Sequence, residues 1–113
     1  MRLVDLDPRW LIKDGRRVGF IFRCPLEPAN AKRLQSCFFE RTPTKEQWAL
    51  IDAAIGDDET VIYQACDPNC AWSCSPAADV ATFEDISVTP SLDGSKGGNW
   101  HGFVTNGAIV GGI

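Results

Sequence analysis

The chain has 113 residues, of which 44% are hydrophobic and 23% are charged, and its formal net charge is −4. These values are typical of one compact globular domain, and they exclude a disordered chain, a collagen-like chain and a large multidomain enzyme. No apolar run approaches the roughly 20 residues that a membrane-spanning helix needs. The charged start at residues 1–5 lacks the apolar core of a secretory signal. We therefore expect a single domain over residues 1–113 in the cytoplasm, with no membrane partner.

The charged residues are distributed unevenly along the chain. Residues 1–50 carry ten Lys/Arg and six Asp/Glu (+4), whereas residues 51–113 carry one and nine (−8), which together give −4. A basic segment is typical of proteins that bind nucleic acid or an acidic partner, and attraction between the two halves of one domain is the alternative explanation. The basic side chains of such a patch, within residues 16–45, are Arg16, Arg17, Arg23, Lys32, Arg33 and Arg41. The four tryptophans, which could stack on bases or fill the core, are Trp10, Trp48, Trp72 and Trp100.

The first segment predicts a β-hairpin. Apolar residues at 10–13 and 18–22 flank Asp14 and Gly15, and both central residues of a type I′ turn need the positive φ that these two residues adopt readily. Pro25 should end the second strand, because proline has no N–H to donate to a ladder. Residues 26–36 then predict a loop with one helical turn at 29–34, and residues 36–39 predict a short strand.

A helix over about residues 45–55 is the clearest element in the middle of the chain. Thr44 and Gln47 match a capping box, in which the Gln47 side chain bonds back to the cap residue. Pro43 and Gly56 mark the two ends of the helix. The residues that recur at helical spacing, and that we expect to pack on a sheet, are Trp48, Ile51 and Ile55.

The remainder of the chain predicts short strands and a second hairpin. The expected strands cover residues 60–63, 83–90, 100–105 and 108–110, with a tight turn at Asn106 and Gly107 between the last two. Residues 66–76 should be irregular, and residues 92–98 should form a glycine-rich loop. The predicted fold class is α+β, mainly β: a small single domain with two β-hairpins and one helix at about residues 45–55.

The chain has five cysteines, an odd number, and lacks a secretory signal. A framework of disulfide bonds is therefore not expected. Cys66, Cys70 and Cys74 are spaced by four residues, and two prolines in and just after this run argue against a continuous helix. In a loop, the three thiolates could bind a metal, with His101 or Cys24 as a further ligand. Free thiols, or a disulfide among the three, are the alternative interpretations.

His101 is the only histidine of the chain. As a functional residue it would be a metal ligand or a general base, and otherwise its ring packs beside Trp100 and bonds to a backbone carbonyl of the hairpin. The sequence contains no nucleophile elbow, phosphate loop or paired-carboxylate motif, so we expect a protein without enzymatic activity.

Four blocks near the two ends of the chain carry a resemblance: residues 1–10 (MRLVDLDPRW), 20–25 (FIFRCP), 89–92 (TPSL) and 100–107 (WHGFVTNG). Together they resemble a family of small phage and bacterial proteins, the domain-of-unknown-function 6527 type. The long Trp-His-Gly-Phe block is the most specific part of the match. The resemblance implies a small phage or prophage protein that acts in the host cytoplasm, and it carries no firm activity.

The resemblance also implies a zinc site. Members of the family typically have a Cys-Pro-x-Cys knuckle after the first hairpin and a variant of Cys-x-Trp-His before the last one, and two such pairs make a closed tetrahedral site. Here Cys24 and His101 stand at matching positions, whereas Glu27 and Gly98 occupy the places of the other two ligands. With the cysteine run added, the predicted metal residues are Cys24, Cys66, Cys70, Cys74 and His101.

Three functions are compatible with these observations. The first is a small, zinc-stabilised, non-enzymatic binding protein that acts on a host protein or, through its basic residues, on nucleic acid. The second is a metal-dependent enzyme with an open Cys/His site, in which Glu84 or Asp85 moves protons. The third is a virion or assembly component, for which a stable homo-oligomer would be the sign.

Overall fold

Two β-sheets and a helix make up the fold. The structure is a computed structural model that describes residues 1–25, 33–56, 62–63, 71–93 and 101–111. Sheet I comprises, in spatial order, β1 (Arg9–Lys13), β2 (Arg16–Arg23), β3 (Arg33–Phe38) and β4 (Ile62–Tyr63). Sheet II comprises β5 (Ser73–Ser75), β6 (Ser87–Asp93), β7 (His101–Thr105) and β8 (Ala108–Val110). The helix α1 (Thr44–Ile55) follows β3, and a 3₁₀ turn (Leu3–Leu6) precedes β1.

The strand pairing agrees with the predicted fold class. Neighbouring strands are antiparallel in both sheets except for β3 and β4, which run parallel. Asp14 and Gly15 form the turn between β1 and β2 with φ of 52° and 77°, and Asn106 and Gly107 form the turn between β7 and β8 with φ of 48° and 74°. These are the positive φ angles that a type I′ turn needs. The α+β, mainly β class with two hairpins and one helix is confirmed.

Sheet I is covered on both of its faces. One face packs against α1 through a buried cluster comprising Leu11, Val18, Ile21, Leu34, Phe38 and Ile51. The other face packs against sheet II through a second cluster that includes Phe20, Phe22, Cys24, Cys37, Ile86, Val88, Leu92 and Val104. The order of layers is therefore helix, sheet I, sheet II. The fully buried phenylalanines each stabilise this arrangement by about 2–3 kcal/mol.

A bulge on β2 determines which side chains reach which layer. The pairing of β1 with β2 shifts between Leu11 and Ile12, which stand opposite Gly19 and Arg17, so Val18 is the extra residue. Val18 consequently joins the cluster under α1, while Arg17 contacts the segment between β5 and β6 on the other side of sheet I. Gly19 is required beside the bulge, because a Cβ there would collide with the backbone of β3.

Strand β1 holds the helix at both ends. The Arg9 guanidinium donates to the carbonyls of Ala54 and Ile55, at 3.3 and 3.4 Å, in the last turn of α1. Near the other end of the helix, the Lys13 ammonium forms an ion pair with Glu46. A cation at the carboxyl end of a helix satisfies terminal carbonyls and opposes the negative end of the helix dipole.

The capping box predicted for α1 is wrong. Thr44 is the first helical residue, Pro43 is the cap residue, and no side chain caps the N-terminus. Gln47 is only 1% exposed, because it faces sheet I one helical turn before the buried Ile51. This rotation of the helix leaves Trp48 exposed, so its predicted place in the core is also wrong.

Several predicted element boundaries also change. Strand β3 begins at Arg33, so the predicted loop at 26–36 and its helical turn at 29–34 are wrong at their carboxyl ends; residues 26–32 lie outside the described residues. The cause is long-range, since β3 pairs with β2 as far as Leu34 opposite Arg23. Residues 83–85 form a turn, and β6 runs from Ser87 to Asp93 into the predicted glycine-rich loop. Pairing with β6 makes a strand of residues 73–75, where irregular structure was predicted.

Candidate functional site

The described members of the predicted metal set lie in different parts of the two sheets. Cys24 follows β2 and Cys74 belongs to β5, and both contribute to the cluster between the two sheets. Cys37 on β3 joins the same cluster, and all three are thiols outside any disulfide. His101 is half-buried at the start of β7, opposite Asp93. Cys66 and Cys70, the other predicted ligands, lie outside the described residues.

Within the described ranges, no three His, Cys, Asp or Glu side chains are grouped so that they could hold a metal ion. Burial raises the pKa of the Cys74 thiol, which favours the neutral form over the thiolate that binds zinc. The site at Cys24, Cys66, Cys70, Cys74 and His101 therefore stays a prediction. The sequence did not predict that Cys37 lies in the same cluster as Cys24 and Cys74. Cys37 belongs to an apolar strand, and its spacing from the other cysteines matches no metal-binding motif.

The two acidic residues considered for proton transfer have structural surroundings. The Asp85 carboxylate accepts hydrogen bonds from the Thr82 backbone N–H at 2.7 Å and from the Thr82 hydroxyl at 2.9 Å. These two bonds hold the pKa of Asp85 below its ordinary value, and the bond from the backbone N–H contributes the larger part. The backbone carbonyl of Glu84 accepts a hydrogen bond from the Arg2 guanidinium at 3.1 Å. Asp85 thus stabilises a turn, and its lowered pKa makes it a weaker proton acceptor at neutral pH.

Two residues of the predicted basic patch, Arg16 and Arg23, have acidic neighbours from the same half of the chain. Arg16 pairs with Glu40 at 2.9 Å. The guanidinium of Arg23 lies 3.7 Å from the carboxylate of Asp7, which also pairs with Arg9. These ion pairs of the described residues lie within residues 1–50, and attraction between the two halves of the chain stays an alternative explanation of the charge asymmetry. Phosphate binding at these groups would have to displace or share the carboxylates.

Arg17 connects the first hairpin to the segment before β6. Its guanidinium donates to the carbonyls of Ala78 at 3.2 Å and Ala81 at 2.8 Å. The same group lies 4.3 Å from the centroid of the Trp10 ring, and that ring stacks on Phe83 at 4.2 Å and 19°. Arg17 and Trp10, considered as a nucleic-acid contact and as either a base-stacking or a core residue, therefore contact each other.

This anchoring positions a turn that presents the apolar side chain of Val80 to solvent. Residues 77–81, which we call the Val80 turn, are closed by hydrogen bonds from the Val80 and Ala81 N–H groups to the Ala77 carbonyl, at 3.0 and 2.9 Å. The Val80 side chain is 70% exposed. The carbonyls of Ala78 and Ala81, on either side of it in the sequence, accept hydrogen bonds from Arg17. Ile12 is also exposed and stands opposite Arg17 on β1. No sequence signal pointed to this turn, because exposure depends on the packing around it.

No family model, no curated protein and no solved structure matches this chain. The resemblance to small phage and bacterial proteins is not tested by these comparisons and stays a prediction. In the part of the chain that the structure describes, no helix has the length and apolar character needed to cross a membrane.

Proposed function

We propose that this chain is a small, non-enzymatic binding protein of the phage type that the resemblance implies, and that it acts on a host protein. The observation that carries the proposal is the Val80 turn. Its Val80 side chain is exposed, and hydrogen bonds from Arg17 to two of its carbonyls constrain its backbone. Single exposed apolar residues are common on protein surfaces. An exposed apolar side chain on a constrained backbone loses little conformational entropy on binding, and this favours its participation in a protein–protein contact.

The partner of such a turn is a protein with an apolar depression. Burial of the Val80 side chain would contribute about 1.5–3 kcal/mol to binding. Exposed Ile12 would extend the contact on the β1 side of Arg17. Asp79, which precedes Val80 within the turn, is also exposed, and a basic group of the partner could pair with it and set the partner's orientation.

A protein partner is better supported than nucleic acid. Arg16 and Arg23 have carboxylate neighbours and Arg17 has carbonyl partners, so these three cations are already engaged. Arg41 and Lys45 are the other two cations of residues 16–45 whose side chains the structure describes, and both are exposed. Titration with labelled RNA and DNA at rising salt tests the alternative, because phosphate-driven binding weakens steeply as salt rises.

The proposal includes zinc as a stabilising ion held by the predicted set of Cys24, Cys66, Cys70, Cys74 and His101. Elemental analysis of untagged protein, with thiol titration before and after chelation, tests this part. Stoichiometric zinc and thiols that react only after chelation would support it, and metal-free protein with reactive thiols would overturn it. The number of protein ligands distinguishes a structural from a catalytic zinc site. Four protein ligands define a structural site, whereas three protein ligands and a water permit the alternative function of metal-dependent catalysis.

The binding proposal is tested by crosslinking at the turn itself. A photo-crosslinking amino acid at position 80 is exposed to a lysate of the bacterial host, with the same group at exposed position 45 on α1 as the control. The captured protein is then purified, and its affinity is measured for the unmodified chain, Val80→Ser and the control Val4→Ser, another exposed valine. We expect Val80→Ser to weaken binding about tenfold or more and Val4→Ser to leave it unchanged. Equal affinity of all three proteins would overturn the assignment to this turn.

A further inference from the structure

Strand β1 forms one edge of sheet I, because the strands of this sheet follow the order β1-β2-β3-β4. An edge strand directs a row of N–H and C=O groups away from its neighbour, and another extended chain can pair with them. Residues 1–3 already complete the β8 edge of sheet II in this way, where the Ile109 N–H donates to the Met1 carbonyl at 2.9 Å. The outward groups of β1 are the corresponding feature of sheet I.

The hydrogen bonds between β2 and β3 determine which groups of β2 point toward β1. The Phe39 N–H donates to the Val18 carbonyl at 2.9 Å. Hydrogen-bonded and non-hydrogen-bonded pairs alternate along an antiparallel ladder, so Phe20, two residues after Val18, also bonds to β3. The residues on either side of Phe20, which are Gly19 and Ile21, therefore direct their N–H and C=O groups toward β1.

Trp10 presents its backbone groups at the outer edge of β1. Arg9 and Leu11 stand opposite Ile21 and Gly19, so both of these β1 residues bond to β2. Trp10 lies between Arg9 and Leu11. Its N–H and C=O groups therefore point away from β2, toward the outer edge of the sheet.

Ile12 presents a second pair of outward groups. Lys13 and Arg16 stand opposite each other and close the two-residue turn between β1 and β2, and the residues that close such a turn form a hydrogen-bonded pair. Both neighbours of Ile12 in β1 thus bond to β2, and its own N–H and C=O groups point outward. Within the described residues, the backbone hydrogen bonds outside helices and strands involve neither Trp10 nor Ile12.

Strand β1 lacks the features that commonly block a strand edge, which are proline, a bulge on the edge strand and free charged side chains. Residues 9–13 contain no proline, and the bulge of this hairpin lies on β2. The two cations of the strand contact α1, because Arg9 donates to carbonyls of its last turn and Lys13 pairs with Glu46. The Ile12 side chain is 50% exposed, so this part of the edge is accessible.

We propose that the protein partner supplies an extended segment that pairs with the outer edge of β1 and adds a strand to sheet I. This inference rests on the proposed function for the partner being a protein, and it names the part of the partner that binds. Trp10 and Ile12 offer two N–H and two C=O groups about 7 Å apart along the strand, the distance over which an extended chain repeats every second residue. An extended polypeptide backbone matches this arrangement of donors and acceptors.

The added segment would have apolar side chains at alternate positions. Ile12 stands opposite Arg17, so the two side chains lie on the same face of the hairpin, and a partner residue paired with Ile12 would lie on that face too. Arg17 bonds to carbonyls of the Val80 turn on this face. One partner could therefore pair with β1 and contact the Val80 turn.

A second copy of this chain fits the edge less well than a different protein. When two copies of β1 pair antiparallel so that Trp10 of one bonds to Ile12 of the other, Arg9 of each copy stands opposite Lys13 of the other. Like charges directly opposite each other destabilise a pair of strands. The charges of β1 therefore favour a partner strand with another sequence.

The first test uses the full chain and seven-residue peptides selected on it from a displayed random library. We expect the selected peptides to carry apolar residues at alternate positions and to slow hydrogen exchange at the Trp10 and Ile12 amides. N-methylation of the peptide residues that pair with Trp10 and Ile12 should weaken binding at least tenfold, whereas methylation of the residues between them should change it by less than about twofold. Equal effects at both sets of positions would overturn the proposal, and so would a library from which no peptide is selected.

The second test removes one outward N–H from the protein. Ile12→Pro deletes this donor without removing a hydrogen bond to β2, and an edge strand tolerates proline at such a position. Ile12→Ala is the matched control, because it also loses the isoleucine side chain but keeps the N–H. We expect the proline variant to bind the selected peptides at least tenfold more weakly than the alanine variant. Equal affinities would overturn the proposal, and if circular dichroism shows that the proline variant is unfolded, the methylated peptides decide.

These tests separate the added strand from the proposed function. A host protein that binds more weakly to Val80→Ser, but equally to Ile12→Pro and Ile12→Ala, would support the proposed function and overturn the added strand. Peptides that bind β1 with the expected alternation, while crosslinking at position 80 captures no host protein, would support strand pairing and overturn the assignment of the function to the Val80 turn.

Discussion

The guanidinium of Arg17 lies over the indole ring of Trp10, 4.3 Å from its centroid, while it donates two hydrogen bonds to backbone carbonyls of residues 78 and 81. The planar guanidinium can stack and donate at the same time, which an ammonium group cannot do. This one side chain joins the first hairpin to the segment that leads into sheet II. The position of the Val80 turn therefore depends on a residue that the sequence alone assigned to a basic patch.

Replacement of Arg17 by lysine should destabilise the protein. Lysine keeps the charge but has no planar group that lies over the Trp10 ring while it donates to both carbonyls, so we expect the free energy of unfolding to fall by about 1–3 kcal/mol. Urea unfolding monitored by tryptophan fluorescence measures the change. Arg41→Lys, at an exposed position, is the matched control and should change stability by less than about 0.5 kcal/mol. Equal stabilities of the two variants would mean that the Arg17 contacts contribute nothing.

Replacement of two turn glycines by alanine should lower the free energy of unfolding by clearly different amounts. Gly15 and Gly107 have φ of 77° and 74°, but a Cβ at Gly15 would meet nothing within 4 Å, whereas one at Gly107 would collide with the backbone of Glu84. Gly15→Ala should cost about 1 kcal/mol for the left-handed conformation alone. Gly107→Ala should cost at least about 2 kcal/mol more, because the hairpin must shift away from residue 84. Equal losses of unfolding free energy would contradict the close approach at Gly107.

Gln47 should be replaceable with a gain in stability. Its side-chain oxygen and nitrogen are buried without a hydrogen-bond partner in the part of the chain that the structure describes, and burial of an amide without partners is costly. Gln47→Met keeps the length of the side chain, so we expect the free energy of unfolding to rise by about 1–2 kcal/mol. Lys45→Met, on the exposed side of the same helix, controls for helix propensity. A destabilised Gln47→Met protein would show that the amide makes a stabilising contact.

The Asp85 carboxylate should make stability depend on pH in the acid range. Because the Thr82 hydrogen bonds lower its pKa in the folded state, its contribution is present above the ordinary carboxyl pKa of about 4 and is lost as the pH falls through the lowered value. Asp85→Asn should therefore be less stable than the parent chain at neutral pH, and the difference should shrink in acid. Urea midpoints across this range measure it. Glu84→Gln, the adjacent exposed acid, should show a smaller difference, and identical profiles for both variants would refute the role of the turn.

The helix illustrates the limit of local patterns. Pro43 and Gly56 predicted its ends correctly, because these residues restrict backbone conformation wherever they occur. The spacing of apolar residues did not predict which side faces sheet I, and it placed Trp48 inside and Gln47 at a cap. The rotation of α1 follows from its contacts with β1, including the bonds from Arg9 to the last turn. Those contacts join residues far apart in the sequence, 45 positions in the case of Arg9 and Ala54.

The sequence by itself determined the class of the fold and the two hairpin turns. Asp14-Gly15 and Asn106-Gly107 form type I′ turns because the steric freedom of these residues is a local property. Only the tertiary structure decided that Arg17 anchors a turn 64 residues away. The position of a side chain in the layered fold depends on which distant strands pair and in which register, and adjacent residues in the sequence do not determine that.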